Sequence, residues 1–288
     1  MPKVLFAINS KAGSEAQDWE KIISNFFTEK GIEPQFFHLD KNIQEEEIRD
    51  RIKNFEGKIV VAVGGDGTVN LIARTLQNTE KALGIIPGGS ANGMARELNI
   101  PIDAEKALSI IERGNERWCD AILINNKDVC LHLSDIGLNA QLIKYFDEGK
   151  LRGKWGYARM ILKALWYKQK MYINLQTRSN QMKREAFMVV LANASKYGTG
   201  AVINPTGAID DGAFEVVIVR KLAFSELLKM LFNPKPFNPQ KIEVIRATGI
   251  SIHSRHRAHF QVDGEYKGKI KTLRATILHR YVRILLPT

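Results

Sequence analysis

The run Lys58-Ile59-Val60-Val61-Ala62-Val63 is apolar and largely β-branched after its first residue, and it breaks directly into Gly64-Gly65-Asp66-Gly67-Thr68. Residues 69–76 then take up helical spacing. A buried strand that turns on glycines into a helix is a supersecondary unit with few homes. The unit recurs. Residues 3–8 read as a strand, followed by the polar loop Asn9-Ser10-Lys11-Ala12-Gly13 and a helix over 15–30 with Trp19, Ile22, Ile23, Phe26 and Phe27 on one face. Residues 34–39 read as a strand and 43–55 as a charged amphipathic helix. Residues 82–86 read as a buried strand, followed by Pro87-Gly88-Gly89-Ser90 and a helix over 91–98. Alternating units of this kind predict a parallel sheet with helices on both faces. Ligands of such sheets bind beyond the carboxyl ends of the strands, where the glycine loops lie.

The chemistry of the first loop follows from its residue types. Gly64, Gly65 and Gly67 let backbone N–H groups approach an anion with no Cβ in the way. A helix starting there adds its positive end. Thr68 offers a hydroxyl, and Val69 and Asn70 continue into the helix. Asp66 would repel phosphate in a simple anion nest, but it suits a site that binds Mg²⁺ or orients an acceptor hydroxyl. The alternative is a tight turn whose Asp caps the helix. The second glycine loop at Gly88-Gly89-Ser90 favours the nucleotide reading. Neither a Walker lysine pattern nor a dinucleotide G-x-G-x-x-G fingerprint is present at the loop.

Beyond residue 125 the pattern changes to short strand-like runs, at 129–133, 171–177, 187–192, 214–219, 241–247, 250–254, 258–262 and 276–285. Helical inserts are expected over 155–167 and 224–232. The division expected is therefore an α/β domain over 1–125 and a mostly antiparallel β-sandwich domain over 126–288. The formal charge of +11 favours anionic partners. Cys119 and Cys130 are too few for a disulfide framework and fit small buried residues in a reducing cytoplasm. No apolar run approaches a bilayer span, so membrane association would be peripheral. The basic and aromatic stretches at 150–170 and 221–241 suit either an interfacial helix on an anionic membrane or a helix packed on the β domain. No nucleic-acid-binding module is apparent.

The segment Gly64–Asn70, written out as Gly64-Gly65-Asp66-Gly67-Thr68-Val69-Asn70, resembles the phosphate loop of the diacylglycerol and sphingosine lipid-kinase family, whose fold is related to NAD kinases and phosphofructokinases. Asn9-Ser10-Lys11-Ala12-Gly13 resembles the family's N-terminal loop. The stretch from Ile86-Pro87-Gly88-Gly89-Ser90-Ala91-Asn92-Gly93 through Arg96 to Pro101 resembles its second nucleotide loop. Asn204-Pro205, Asp210-Asp211-Gly212-Ala213 and Asp263-Gly264-Glu265 resemble its later motifs, in order. The resemblance implies an ATP-dependent kinase for a diacylglycerol-like lipid at a membrane surface. It implies that Asn9, the first loop, Gly89, Ser90, Asn92 and Arg96 hold ATP, with Asp66 beside the reacting phosphate and its Mg²⁺. Arg96 and Asp120 would form a charged pair near the nucleotide. Asp211, with the carbonyls of Ala208 and Ala213, matches an accessory Mg²⁺ site. Glu265 matches the base on the lipid hydroxyl; the bare alternative is a residue following an Asp263-Gly264 hairpin turn.

The chain departs from the family pattern at three places. Gly93 stands where some diacylglycerol kinases have a carboxylate that helps bind Mg²⁺. Gln141 falls where sphingosine-type kinases have the aspartate for the substrate amine, which argues against a sphingoid substrate. Ser134-Asp135 replaces a more usual small polar pair before Gly137, and the sequence assigns Asp135 no role. An NAD kinase and a non-catalytic nucleotide- or membrane-binding module of the same fold are the alternatives. Oligomeric state stays open, with a homodimer as one candidate.

Overall fold

The computed structural model describes residues 3–10, 12, 18–28, 30–40, 43–147, 170–178, 180–195, 207–221, 238 and 240–288. The expected helices over 155–167 and 224–232, the basic run at 150–157 and the Asn204-Pro205 motif lie outside the described residues. The chain divides into two compact units, Met1–Cys119 with Arg280–Thr288, and Asp120–His279. The expected division near residue 125 left the C-terminal residues in the second domain. Contacts return them to the first unit, because the last strand ends beside a strand of that unit.

The first unit is built on a parallel sheet. Strands β1 (Lys3–Asn9), β2 (Glu33–Leu39), β3 (Ile59–Gly64) and β4 (Ala82–Pro87) lie in the order β2-β1-β3-β4. Each pair is parallel and in continuous register, for example Val61 opposite Phe6 and opposite Gly84. The β3 and β4 side chains are almost wholly buried, so their unbroken apolar runs match a sheet covered on both faces. Helices α1 (Trp19–Phe27), α2 (Glu45–Asn54), α3 (Asp66–Thr75), α4 (Gly93–Glu97) and α5 (Ala104–Arg113) connect and cover them. Asp18 caps α1 and Asp103 caps α5, each accepting an N–H three residues on. Trp19, Ile23 and Phe27 of α1 and Ala107, Leu108 and Ile111 of α5 are buried on the strands' apolar surface.

The second unit is antiparallel. Strands β7 (Leu133–Gly137), β10 (Met188–Ala192), β11 (Phe214–Val219), β12 (Ile242–Ala247), β13 (Gly249–Val262) and β14 (Glu265–Leu286) follow the order β12-β11-β10-β7-β13-β14. Strands β8 (Met171–Gln176) and β9 (Gln181–Ala186) extend from β13, and β5 (Asn115–Ile124) pairs with β6 (Asp128–Cys130). Helix α6 (Leu138–Asp147) follows β7. The first half of β13 pairs with β8 and its last residues pair with β7. A register irregularity between His253 and Ala258 separates the two halves, so one chain segment serves two neighbours. The core gathers Ile136, Leu175, Val189, Leu191, Phe214, Val216, Ile252, Phe260 and Leu273. Strand β14 continues past His279 with Arg280 at φ 52, then places Arg283 and Ile284 parallel to Ala82 and Leu83 of β4.

Candidate active site

The two glycine loops of the first unit interlock. Gly65 is the N-cap of α3, and its carbonyl accepts the N–H groups of Thr68 and Val69 at 3.0 and 3.1 Å. The helix thus begins at Asp66, three residues earlier than the apolar spacing predicts. Gly67 and Thr68 therefore belong to its first turn; the Thr68 N–H is taken by Gly65, and the N–H groups of Asp66 and Gly67 before it are the ones with no intrahelical acceptor. The Gly88 N–H donates to the Gly64 carbonyl at 2.8 Å. A Cβ on Gly89 would lie 2.5 Å from the Gly65 Cα, and one on Gly64 would lie 2.5 Å from the Thr68 Oγ1. The missing side chains are what let the loops touch.

Asp66 ties the loops together. Its Oδ2 accepts the Gly93 N–H and its Oδ1 accepts the Met94 N–H, both at 2.9 Å. The carboxylate therefore caps α4, the helix of the other loop, and not its own. Gly93, which supplies no carboxylate, supplies one of these donors. Asn92 locks the second loop from within. It sits buried at φ 50, its Oδ1 accepting the Gly89 N–H at 2.8 Å and its Nδ2 donating to the Gly89 carbonyl at 2.7 Å. Asn is among the residues that tolerate this left-handed conformation. Asn9 donates from Nδ2 to the buried Thr68 Oγ1 at 3.0 Å, which leaves the Thr68 O–H to donate elsewhere. Ser90 is exposed, and the exposed Arg96 donates from Nε to the Ala91 carbonyl at 3.0 Å. Val69 is buried in α3 and Asn70 half-buried beside it.

Gly89→Ala is expected to push the loops apart, because the added carbon meets backbone that cannot swing aside. The expected cost is about 1–3 kcal/mol in stability and, for a phosphate ligand held by both loops, an affinity lowered by about tenfold or more. Gly65→Ala, whose Cβ would stand 3.2 Å from the Gly89 Cα, should lose less. Thermal melts and ATP titrations of the two variants check the order.

The second unit holds the remaining candidates. Asp263 (φ 47) and Gly264 (φ 85) form a two-residue hairpin between Val262 and Glu265. The Asp263 carboxylate accepts the N–H groups of Leu131, His132 and Leu133 at 2.9–3.1 Å, and the Cys130 thiol lies 3.2 Å from it. Burial, with the Asp263 charge second, pushes the Cys130 thiol well above its ordinary value. Both cysteines are buried and neither is in a disulfide. Glu265 opens β14 with its side chain 60% exposed and 2.9 Å from the Lys267 ammonium. The hairpin's anchoring by Asp263 is something the turn pair alone did not reveal.

Asp120 is buried. Its Oδ2 accepts the Gly212 N–H at 2.7 Å, and its Oδ1 lies 2.9 Å from Nδ1 of His279. Its own N–H donates to the Ile209 carbonyl. Asp211 has Oδ2 at 2.8 Å from the Arg246 guanidinium and Oδ1 accepting the Ala213 N–H at 3.1 Å. Ala208 is half-buried just before this turn, and Ala213 is buried just after it. Arg246 already supplies the positive charge at Asp211, so this arrangement does not fit a second cation there. Among the described residues no group of three His, Cys, Asp or Glu side chains is arranged to hold a metal. Asp66 fits better: each of its oxygens keeps a lone pair, and Mg²⁺ commonly takes only one or two carboxylates beside phosphate and water.

Asp135 is fully buried in β7, and burial pushes its carboxyl up to about 6 even though Asn139, Gln261 and Ala140 all donate to it. An acid within the apolar stretch Leu133-Ser134-Asp135-Ile136 was the available signal, since such a residue must find partners.

Comparison with known proteins bears on the family and the fold. Residues 3–124 match the diacylglycerol kinase catalytic domain, and residues 134–286 match the YegS C-terminal NAD kinase beta sandwich-like domain. A protein of Chromohalobacter salexigens named probable lipid kinase YegS-like is 29% identical over 72% of this chain and 69% of its own length. A diacylglycerol kinase of Staphylococcus epidermidis is 27% identical over 77% of this chain and 72% of its own. The crystal structure of a diacylglycerol kinase from Bacillus anthracis superposes with a TM-score of 0.74 at 18% identity, covering 99% of this chain and 97% of that one, and so shares the fold. The α/β unit and the antiparallel unit after it thus have a recognised architecture, and the chain belongs to the diacylglycerol kinase and YegS family of lipid kinases.

Proposed function

We propose that this protein transfers the γ-phosphoryl group of ATP to a hydroxyl of a diacylglycerol-like lipid. The observation that carries the reading is the clasp between the two glycine loops, in which Asp66 joins Gly93 and Met94 within a catalytic domain of the lipid-kinase family. Phosphoryl transfer asks the protein mainly to position and to neutralise charge. The N–H groups at the start of α3, the Thr68 hydroxyl and Ser90 bind the phosphates, and Arg96 adds positive charge. Mg²⁺, carried on the nucleotide and held by Asp66, would neutralise the phosphate oxygens. Glu265 takes the proton of the lipid hydroxyl as the new O–P bond forms. Its exposure suits a group that must meet a substrate from outside.

Incubation with γ-labelled ATP, Mg²⁺ and a panel of diacylglycerol, monoacylglycerol, ceramide, sphingosine and NAD tests the reading. Label in phosphatidic acid is the expected result. Label in NAD alone would replace it with NAD kinase activity, and ATP binding without transfer would leave a non-catalytic module.

The lipid sits in a membrane, and the second unit carries a surface that suits one. A groove of about 840 Å³ is lined by Lys170, Lys183, Arg184, Arg220, Lys221, Arg255 and Lys271, with Glu185 the acid among its described lining residues. Tyr172 stands 52% exposed within it. Among the described residues no helix is long and apolar enough to cross a membrane. Each basic residue near an anionic leaflet adds about 1 kcal/mol of attraction, and screening weakens it. Binding to phosphatidylglycerol vesicles is therefore expected to fall steeply between low and high salt. The triple variant Lys183→Glu, Arg255→Glu, Lys271→Glu should lose at least about tenfold in vesicle affinity, with ATP binding unchanged. Flotation assays read both, and salt-independent binding would remove this part of the reading.

A further inference from the structure

Asp135 is a buried carboxylate with no part in the proposed chemistry, yet its partners lead toward the proposed base. Gln261 stands opposite Asp135 in the β7–β13 register. The Gln261 Nε2 donates to the Asp135 Oδ2 at 2.5 Å, and its Oε1 accepts the Gly264 N–H at 2.8 Å. Asn139 donates to the same Asp135 oxygen at 2.6 Å, and the Ala140 N–H donates to the other at 2.8 Å. Gln261 is 1% exposed, and its own carbonyl accepts the Ser134 hydroxyl at 2.6 Å.

The two ends of this amide are not interchangeable. A carboxylate accepts only, so Asp135 requires the Nε2 end and leaves Oε1 for Gly264. A neutral group at 135 that could also donate would remove the shortest contact behind that choice, leaving the Leu133 carbonyl, 3.5 Å from Nε2, and the Gly264 N–H to hold it. A flipped Gln261 would then set its N–H₂ against the Gly264 N–H. A Cβ on Gly264 would meet nothing within 4 Å, so no neighbouring group crowds this residue. Asp263 is anchored by three backbone donors. Gly264, at φ 85, is thus the single residue between that anchor and Glu265. Burying a charge is costly unless it is well paired; the Ala140 N–H in the first turn of α6 offsets part of that cost, and the contact to Gln261 is the part that leads away from the helix.

We propose that Asp135 is a positioning residue for Glu265: through the oriented Gln261 amide it fixes the Gly264 peptide, and with it the direction in which Glu265 leaves the hairpin. The proposal rests on the reading of Glu265 as the base, and it predicts a hydrogen-bond swap that a merely structural role would not.

The experiment compares Asp135→Asn, Gln261→Glu and the double variant Asp135→Asn/Gln261→Glu, with Glu265→Ala alongside. Asp135→Asn sets amide against amide. Gln261→Glu sets carboxylate against carboxylate while keeping an acceptor for Gly264. In the double variant the amide at 135 donates to the carboxylate at 261, whose second oxygen accepts the Gly264 N–H, and Asn139 turns its amide to suit. Each single variant is expected to lower kcat about 10- to 100-fold with KM for ATP within about threefold. The double variant should return to within about fivefold of the parent. Hydrogen exchange at the Gly264 amide gives a second readout that needs no activity. It should quicken at least about tenfold in Asp135→Asn and slow again in the double variant.

Unchanged kcat and unchanged Gly264 exchange in both single variants would overturn the proposal. So would a double variant as impaired as the worse single one, or one that fails to fold. If the single variants fail to fold, a folded and active double variant supports the proposal. Full activity in Glu265→Ala would instead sink the base, and Gly264 exchange would then still report whether Asp135 controls the hairpin.

Discussion

Glu265→Ala is expected to lower kcat for lipid phosphorylation by about 10²- to 10⁴-fold while leaving KM for ATP within about twofold. The reason is the chemistry of the acceptor. An alcohol is a poor nucleophile until its proton leaves, and a positioned carboxylate can receive that proton as the bond to phosphorus forms. The fold gives Glu265 a fixed place to do so. The Asp263-Gly264 turn sets the strand's first residue, and three backbone donors hold the turn. The Lys267 ammonium lies 2.9 Å from the carboxylate. Glu265→Gln makes the sharper test, because it keeps the size and can still accept a hydrogen bond from Lys267. It should lose nearly as much kcat as the alanine variant, with thermal stability unchanged, since an exposed side chain carries little of the fold. Pre-steady-state transfer to diacylglycerol reads the chemical step directly. Full activity in both variants would remove Glu265 from the mechanism and leave the hairpin a structural turn.

Much of this architecture was legible because its signals are local. The strands β3 and β4 announce themselves as unbroken apolar runs, and the two glycine loops follow them directly. The Asp263-Gly264 pair reads as a hairpin turn and is one. The two apolar runs at 250–254 and 258–262 are halves of β13, separated by the irregular step that lets the strand change neighbours. Elements whose signals are weak or long-range were less visible. Strand β9 is Gln181-Met182-Lys183-Arg184-Glu185-Ala186, too polar to read as a strand, and its existence depends on pairing with β8. Helix α5 carries a capping Asp103 and apolar residues at helical spacing, but only ten residues of it. At the site, residue types could point to Asp66, but not to the partners of its carboxylate. Those donors are backbone N–H groups of positions 93 and 94, and no side-chain pattern marks a backbone donor. The same holds for Asp263 and for the link from Asp135 to Gly264, each of which joins residues more than a hundred positions apart.

Asp66→Asn is expected to lower kcat/KM for ATP by about 10³-fold and to reduce the melting temperature by roughly 5 °C. Both effects follow from one contact. The carboxylate receives two N–H groups at 2.9 Å, and a charged acceptor makes each such bond worth about 1.5–3 kcal/mol. An asparagine keeps one acceptor and turns its N–H₂ toward the other donor, so α4 loses its anchor on the first loop. The second loop, closed internally by Asn92 and Gly89, would then shift as a unit. Phosphate-binding groups on both loops would lose their common geometry, and misplacement of about 1 Å is enough for a hundredfold loss. A Mg²⁺ series separates this role from metal binding. If Asp66 mainly holds the loops, excess Mg²⁺ leaves Asp66→Asn impaired, because no ion replaces a hydrogen-bond acceptor for Gly93 and Met94. If its sole task is to hold the ion, the variant keeps its melting temperature and recovers at high Mg²⁺. The position of Gly93 favours the first outcome. Where a second carboxylate would have strengthened a metal site, this chain has a residue whose backbone N–H is already given to Asp66.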